Sequence, residues 1–230
     1  MIPLAILCGG LGTRLGERTR DVPKPLVPVA GVPFLDHLLA SVARSGVADV
    51  VLVVGYLGER IAAHVGDGAR FGLRVRYADD GAVRRGTAGA VRNALPLLGE
   101  RFLVSFGDAL LDVDYAAVAA AAAASGCAGL MTVYPARSSE RGNAEVRGAR
   151  VVRYDKEAAP GELTYVDYGV SAFTARSFAD LPTDPTDLTV VNGRLIAADS
   201  LAAYPMPSAP YEMGSPDGLR AMETYLARNA

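Results

Sequence analysis

The chain has 230 residues, of which 50% are hydrophobic, enough to build one sizeable α/β domain. Its formal net charge of −2 argues against a general nucleic-acid binder, which would carry a surplus of basic residues. Cys8 and Cys127 each lie in an apolar run, which disfavours a disulfide scaffold and favours the reducing cytoplasm. We expect neither export nor a membrane span, because a signal-peptide pattern and an apolar stretch of roughly 18 residues are both lacking.

The first half of the chain alternates strand-like and helix-like segments. Apolar, β-branched runs predict strands at 2–7, 50–54, 73–77 and 102–106. Between them, apolar residues recur with helical spacing from Phe34 to Val42 and over 88–98. This alternation predicts a mostly parallel sheet covered by helices on both faces. Ligands of such sheets bind at the carboxyl ends of the strands.

In the second half, the sequence predicts strands at 130–134 and 165–173 and a hairpin at 144–154. It also predicts helices at 187–198 and from Pro216 onward. The hairpin would turn at Gly148-Ala149, and Ser215-Pro216 is typical of a helix start. The proline-rich stretches are too short to be domain linkers. We therefore predict one Rossmann-like, three-layer α/β domain over 1–230. Its central mixed sheet would be mostly parallel, with a small antiparallel hairpin region in the second half.

A glycine-rich stretch follows the first predicted strand and is in turn followed by Pro23-Lys24-Pro25. It reads Leu7-Cys8-Gly9-Gly10-Leu11-Gly12-Thr13-Arg14-Leu15. Glycines let a polyphosphate approach backbone N–H groups, and Arg14 and Lys24 would supply fixed positive charge. The dinucleotide fingerprint fails because Leu15 stands where its third glycine belongs, and the Gly-Lys-Ser/Thr of a Walker A loop is also lacking.

With those two motifs excluded, the pattern resembles the sugar-1-phosphate nucleotidylyltransferases, which make nucleotide sugars from an NTP and a sugar 1-phosphate. The opening motif and Val32-Pro33-Phe34-Leu35-Asp36-His37 look most like heptose-1-phosphate guanylyltransferases. Residues 66–73 look instead like N-acetylmuramate-1-phosphate uridylyltransferases. We favour guanylyl transfer to a heptose- or hexose-type 1-phosphate, and uridylyl or other nucleotidyl transfer stays open. The resemblance implies a nucleotide-binding half, 1–112, and a sugar-phosphate-binding half, 113–230.

The resemblance also implies which residues bind the nucleotide. Gly86-Thr87-Ala88-Gly89-Ala90 resembles a segment that contacts the base and its sugar, with free N–H groups at a helix start bonding the ring's edge. Close helix packing is the alternative role for these small residues. The nucleotide-binding set is Leu7, Gly9, Gly10, Gly12, Thr13, Arg14, Lys24, Gly86, Thr87 and Gly89, and the catalytic set is Arg14, Lys24 and Asp108.

Two carboxylates are implied as ligands of a Mg²⁺ cofactor. Asp108, in Ser105-Phe106-Gly107-Asp108, resembles the family's Gly-Asp metal ligand, and Mg²⁺ prefers oxygen donors. Glu212, in Tyr211-Glu212-Met213-Gly214-Ser215-Pro216, stands where the family usually has Asp. Whether the glutamate replaces that aspartate is left open. Asp112 and Asp114 lie near a helix start, where capping is the expected role.

A further set of residues is implied to bind the sugar phosphate. Asp155-Lys156-Glu157 resembles the family's Glu-Lys-Pro, whose lysine holds the phosphate, and Lys24 and Lys156 are the only two lysines in the chain. Asp167 would accept hydrogen bonds from sugar hydroxyls, and Gly169 would leave room for the sugar ring.

The predicted partners are an NTP and a sugar 1-phosphate, without nucleic acid or membrane, and a homo-oligomer is left open. A catalytically silent sugar-nucleotide-binding subunit is an alternative, although such a protein would be free to lose Arg14, Lys24 or Asp108. A Rossmann-type oxidoreductase is disfavoured by the failed glycine fingerprint. Cys8 is expected to serve strand packing rather than to act as a reactive thiol.

Overall fold

The computed structural model describes residues 2–10, 19, 21–81, 83–137, 140–213 and 216–228. Its α-helices are α1 (Phe34–Arg44), α2 (Gly58–Val65), α3 (Gly86–Leu98), α4 (Tyr115–Ala124), α5 (Leu188–Ala197) and α6 (Pro216–Arg228). The first-half strands are β1 (Leu4–Leu7), β2 (Pro28–Val29), β3 (Val32–Pro33), β4 (Asp49–Val54), β5 (Arg74–Asp79), β6 (Arg101–Phe106) and β7 (Ala109–Leu110). The second-half strands are β8 (Gly129–Pro135), β9 (Ala144–Arg147), β10 (Arg150–Tyr154), β11 (Tyr165–Thr174), β12 (Leu201–Pro205) and β13 (Tyr211–Glu212).

A mixed sheet of nine strands forms the centre of the molecule, in the order β5-β4-β1-β6-β11-β8-β12-β10-β9. Strands β5, β4, β1 and β6 are parallel, whereas β11 runs antiparallel to both β6 and β8. Strands β1, β4 and β6 are apolar runs with mostly buried side chains. Strand β5 lies at the edge of the sheet and buries only Val75 and Ala78. The predicted α/β class and mixed sheet are confirmed.

Helices cover both faces of this sheet, so the three predicted layers are present. Side chains of β1 alternate between two apolar cores: Leu4 and Ile6 face one, and Ala5 faces the other. The first core contains the buried stripe of α1, which includes Phe34 and Leu38. The second core contains buried residues of α3 and α5. Burying a large apolar side chain such as Ile6 contributes about 1.5–3 kcal/mol, so these cores hold the strand ends in place.

The predicted hairpin at Gly148-Ala149 is confirmed, but it does not form a separate region. Gly148 adopts φ +57°, and β9 pairs with β10 across the turn. Strand β10 also pairs with β12, and β9 pairs with β11, so both hairpin strands extend the main sheet. Strand β12 lies in a segment for which the sequence predicted no strand, and it pairs parallel to β8.

Two helices of the second half begin at aspartate caps. Asp114 accepts a hydrogen bond from the N–H of Ala117 at 2.9 Å, which confirms its expected capping role at α4. Asp187 caps α5 by accepting from the N–H of Thr189 at 2.8 Å. Among the residues that the structure describes, no helix combines the length and apolar character that crossing a membrane requires.

Candidate active site

The carboxyl ends of β1, β4, β5 and β6 border one cavity of about 630 Å³. Gly9 follows β1, Gly55 follows β4, Asp80 follows β5 and Asp108 follows β6. This is the edge at which ligands of parallel sheets bind, and the volume suits a small molecule. The predicted nucleotide and catalytic residues that line the cavity are Leu7, Gly9, Gly10, Lys24, Gly86, Thr87 and Asp108.

Other predicted residues lie elsewhere. Gly89, Lys156, Asp167, Gly169 and Glu212 are not part of the cavity lining. The predicted residues Gly12, Thr13 and Arg14 lie outside the described part of the chain.

Glycines allow the strand ends to approach each other at the floor of the cavity. The N–H of Gly107 donates to the carbonyl of Leu7 at 2.9 Å. A Cβ atom on Gly107 would lie 2.8 Å from Cys8 Sγ and 2.9 Å from that carbonyl oxygen, closer than real Cβ contacts. The glycine before Asp108 is therefore needed for the end of β6 to meet the end of β1.

An ion pair joins two of the predicted catalytic residues. Lys24 Nζ lies 2.6 Å from Asp108 Oδ2, although 84 residues separate them in sequence. Lys24 begins a short 3₁₀ helix, Lys24–Leu26, that Pro23 precedes. The lysine side chain is 15% exposed and the aspartate side chain 45%, so the ammonium is held inside the cavity wall while the carboxylate faces its interior.

Of the two predicted metal ligands, Glu212 lies in β13 and Asp108 directly precedes β7, the strand that pairs with β13. In the short β7–β13 ladder, Glu212 lies opposite Ala109, and the N–H of Met213 donates to the carbonyl of Asp108 at 3.1 Å. Both residues offer carboxylate oxygens, the donors that Mg²⁺ prefers, and one or two carboxylates are the usual protein share of a site that phosphates and waters complete. No group of three or more His, Cys, Asp or Glu side chains suited to a metal occurs within the described ranges. The donor chemistry thus fits Mg²⁺ completed by substrate oxygens.

The Gly86–Gly89 turn packs against the segment that precedes α5. Gly86 adopts φ +71°, and a Cβ atom there would lie 2.5 Å from the carbonyl oxygen of Thr186. That oxygen accepts from the N–H groups of Ala88 and Gly89 at 2.8 and 3.2 Å. A Cβ atom on Gly89 would collide with the carboxylate of Asp184. Close packing therefore explains why a glycine stands at position 89, and the N–H groups of Ala88 and Gly89 donate within the protein.

Replacing Gly86 by alanine is expected to destabilise the fold more than replacing Gly72, which ends the 3₁₀ turn Ala69–Phe71. Both glycines have positive φ, +71° and +73°, so each alanine costs about 1 kcal/mol of backbone strain. A Cβ atom on Gly86 would meet backbone atoms of Thr186, whereas nothing lies within 4 Å of a Cβ atom on Gly72. Gly86→Ala should therefore lose about 1–3 kcal/mol more from overpacking, measured as the free energy of unfolding in urea. Equal losses in the two variants would contradict the packing described.

The predicted sugar-phosphate residues are linked to one another by Tyr154. Asp167 Oδ2 accepts from the Tyr154 hydroxyl at 3.1 Å, and its Oδ1 accepts from the N–H of Gly169 at 2.9 Å. Lys156 Nζ lies 5.9 Å from the centroid of the Tyr154 ring. Burial raises the pKa of Asp167, against the hydrogen bonds from Gly169 and Tyr154 and the charge of Lys156. The structure thus brings Lys156, Asp167 and Gly169 into one neighbourhood.

Two residues of this neighbourhood were missed from the sequence. Tyr154 was part of a predicted hairpin strand, and its hydroxyl contact follows from sheet pairing that the chain order does not reveal. Asp187 showed only the signal of a residue at a helix start. Its carboxylate contacts both Lys156 and Thr87.

Cys8 lines the cavity but is 2% exposed. Burial, with a smaller contribution from the charge of Asp108, raises the pKa of its thiol to about 12. The thiol is therefore protonated near neutral pH, and the cysteine serves packing between the strand ends.

This pKa predicts a pH dependence of stability. A cysteine in the unfolded chain ionises with a pKa of about 9, whereas folded Cys8 keeps its proton to about pH 12. The unfolded state therefore gains stability as the pH rises between those values, at up to about 1.4 kcal/mol per pH unit. Urea unfolding at several alkaline pH values should show a steeper loss of stability in the wild type than in Cys8→Ala. Parallel losses would show that the Cys8 thiol ionises equally in both states.

Comparison with known proteins identifies the family to which the chain belongs. Residues 4–153 match the family model described as nucleotidyl transferase. The chain belongs to this family. The resemblance to sugar-1-phosphate nucleotidylyltransferases is thereby confirmed, and a divalent metal ion is the cofactor that such nucleotidyl transferases generally use.

Several curated relatives of this nucleotidyl transferase match its sequence. It is 39% identical over 113 residues to N-acetylmuramate alpha-1-phosphate uridylyltransferase of Neisseria meningitidis, covering 49% of each chain. It is 35% identical over 109 residues to D-glycero-alpha-D-manno-heptose 1-phosphate guanylyltransferase of Campylobacter jejuni, covering 47% of this chain and 48% of the relative. In both cases the match spans about half the length of the relative. A uridylyltransferase of the same name from Caulobacter vibrioides is 29% identical over 96% of both chains.

Solved structures share the fold. HddC from Yersinia pseudotuberculosis, complexed with GMP-PN, superposes with a TM-score of 0.82 at 21% identity, covering 98% of this chain and all of that one (100%). A putative glucose-1-phosphate thymidylyltransferase from Bacillus anthracis, in complex with a sucrose, gives a TM-score of 0.85 at 19% identity, with coverage of 100% and 96%. At these identities the likeness concerns the fold.

Proposed function

We propose that this nucleotidyl transferase moves a nucleoside monophosphate from an NTP to a sugar 1-phosphate, giving an NDP-sugar and pyrophosphate. One observation carries the proposal: Gly9, Gly10, Lys24 and Asp108 come from three separate segments and line the same cavity. Glycines that leave the backbone open, an ammonium and a carboxylate are what a metal-bound triphosphate requires.

The reaction needs little covalent chemistry from the protein. An oxygen of the sugar phosphate attacks the α-phosphorus, and a new P–O bond forms as the bond to the departing pyrophosphate breaks. Because a phosphate monoester is already anionic, neither a protein nucleophile nor a strong general base is required. The buried, protonated thiol of Cys8 agrees with this expectation, since it offers no thiolate. Catalysis is then positioning and charge neutralisation.

Five of the predicted residues receive roles in that scheme. Lys24 neutralises charge near the α-phosphate, Arg14 holds the β- and γ-phosphates, and Lys156 holds the phosphate of the sugar. Asp108 and Glu212 would hold Mg²⁺, which when bound supplies positive charge to the phosphate oxygens. Under this proposal residues 1–112 bind the nucleotide and residues 113–230 bind the sugar phosphate.

Among the nucleotides we favour GTP, with a heptose- or hexose-type 1-phosphate as acceptor. The opening motif and the Campylobacter relative support that assignment. UTP is the second candidate, because the Neisseria and Caulobacter relatives are uridylyltransferases and the latter matches nearly the whole chain.

A substrate panel tests the proposal. The protein is incubated with Mg²⁺, each of the common NTPs and a set of sugar 1-phosphates, and released pyrophosphate is measured. We expect the highest kcat/KM with GTP and a heptose or hexose 1-phosphate. A higher value with UTP and N-acetylmuramate 1-phosphate would replace the nucleotide and the sugar in the proposal. Nucleotide binding without pyrophosphate from any pair would overturn it and favour the silent subunit.

A further inference from the structure

The carboxylate of Asp187 lies between the predicted nucleotide and sugar-phosphate residues. Its Oδ2 accepts from the hydroxyl of Thr87 at 3.0 Å, and Thr87 lines the cavity in the first turn of α3. Its Oδ1 accepts from Lys156 Nζ at 3.2 Å. One carboxylate therefore connects a wall of the cavity to the lysine of the second half.

Local hydrogen bonds fix the position of this carboxylate. Thr189 donates to Oδ1 from its N–H at 2.8 Å and from its hydroxyl at 2.6 Å. The N–H of Leu188 donates to Thr87 Oγ1 at 2.8 Å, so the threonine both donates to Asp187 and accepts from the next residue. These bonds tie Asp187 to the first turns of both α3 and α5.

The charge of Asp187 is maintained as well as its position. Burial alone would raise the pKa of the carboxyl, but the hydrogen bonds from Thr189 and the nearby Lys156 ammonium outweigh it and lower the pKa to about 2. The group is ionised at any pH at which the protein would work.

Lys156 needs a partner if its ammonium is to stay in one position. The residue follows β10 in the chain and its side chain is 46% exposed, so without a partner it would sample many rotamers. An ammonium has three donors, so one bond to Asp187 leaves two for the oxygens of a phosphate. The carboxylate can therefore orient the ammonium without occupying it.

We propose that Asp187 is a positioning residue for the transfer reaction, which holds the Lys156 ammonium at a set place relative to the nucleotide cavity by bonding to Thr87. This inference rests on the proposed role of Lys156 toward the sugar phosphate. Its consequence is that Asp187 raises kcat for the transfer without touching either substrate.

The test compares two aspartates that both cap helices. Asp187→Asn keeps the shape and an acceptor oxygen for Thr189 but removes the charge that faces Lys156. Asp114→Asn is the matched control, because Asp114 caps α4 through Ala117 and contacts neither lysine. With the substrates on which the wild-type protein is active, Asp187→Asn should lower kcat about tenfold and change KM for the NTP less than about twofold. Asp114→Asn should change both values less than about twofold.

A double-mutant cycle with Lys156→Met separates positioning from helix capping. If Asp187 acts through Lys156, its replacement should lower kcat less than about twofold in the Lys156→Met background. The same fold-loss in both backgrounds, or a loss no larger than that of Asp114→Asn, would overturn the positioning role.

A second readout does not depend on turnover. The chain has two lysines, so reductive methylation with ¹³C-formaldehyde gives few NMR signals, and Lys156→Met assigns the one from Lys156. Asp187→Asn should move that signal and Asp114→Asn should not; an unmoved signal in Asp187→Asn would overturn the inference.

If the wild type releases no pyrophosphate with any pair, the proposed function fails and the positioning role fails with it. If the enzyme is active and the effects of Asp187→Asn and Lys156→Met on kcat are additive, only the positioning role of Asp187 fails.

Discussion

Asp108→Asn is expected to lower kcat by about 10²- to 10³-fold, the size of effect seen when a group that stabilises developing charge is removed. The carboxylate faces the cavity at the end of β6 and is one of the two residues proposed to hold the metal. Asparagine keeps the size of the side chain but lacks the negative charge, so both the metal and Lys24 lose their partner. Pyrophosphate release at saturating substrates measures the loss.

The fold should survive this substitution. The Lys24–Asp108 pair is partly exposed on the aspartate side, and such pairs contribute no more than about 1 kcal/mol to stability. Thermal unfolding should therefore change little. Asp112→Asn, four residues further on, serves as the control for a carboxylate outside the cavity lining and should retain turnover. Near-normal pyrophosphate release from Asp108→Asn would contradict the metal assignment.

Lys24→Met is expected to lower kcat/KM for the NTP by about 10²-fold or more, because a positive charge is removed from a partly enclosed cavity. Methionine keeps an unbranched side chain of similar length but supplies no charge. The side chain of Lys24 is 15% exposed, so neither water nor salt can replace the ammonium fully. Steady-state kinetics with each substrate varied in turn measures the effect.

The second lysine provides the contrast. Lys156→Met should lower kcat about tenfold or more and raise KM for the sugar 1-phosphate, but leave KM for the NTP nearly unchanged, because Lys156 lies outside the cavity lining and beside Asp187. If Lys24→Met instead weakened only the sugar phosphate, the assignment of the two lysines to two substrates would be wrong.

Much of the fold followed from local sequence patterns. The run Val50–Val54 is β-branched or apolar throughout, as strands buried on both faces are, and it is the core of β4. Strand β12 was missed because Leu201-Ala202-Ala203-Tyr204-Pro205 contains small residues and a proline, and its extended state depends on pairing with β8. The hairpin was predicted at the right turn, but its union with the main sheet depends on β12 and β11.

The candidate site was predictable where a motif lies next to a strand end. Lys24 and Asp108 were named from their motifs. The end of β6 places Asp108 at the edge of the sheet, and the 3₁₀ helix Lys24–Leu26 places Lys24 beside it, 84 residues away in sequence. The role of Asp187 could not be predicted, because its bond to Thr87 spans 100 residues and requires that α3 and α5 meet. Gly89 was predicted as a nucleotide contact and packs against Asp184, a contact that also depends on the approach of these two segments.

The central claim is that one cavity, with Lys24 and Asp108 in its wall, transfers a nucleotide to a second phosphate. The most direct test is a ³¹P NMR time course of the wild-type protein with Mg²⁺, GTP and a heptose or hexose 1-phosphate, repeated with UTP and N-acetylmuramate 1-phosphate. The account predicts that the signals of the NTP and the sugar phosphate decline together while one pyrophosphate and one NDP-sugar appear for each pair consumed. Pyrophosphate that forms without the sugar phosphate, or an NTP that persists in every mixture, would contradict it.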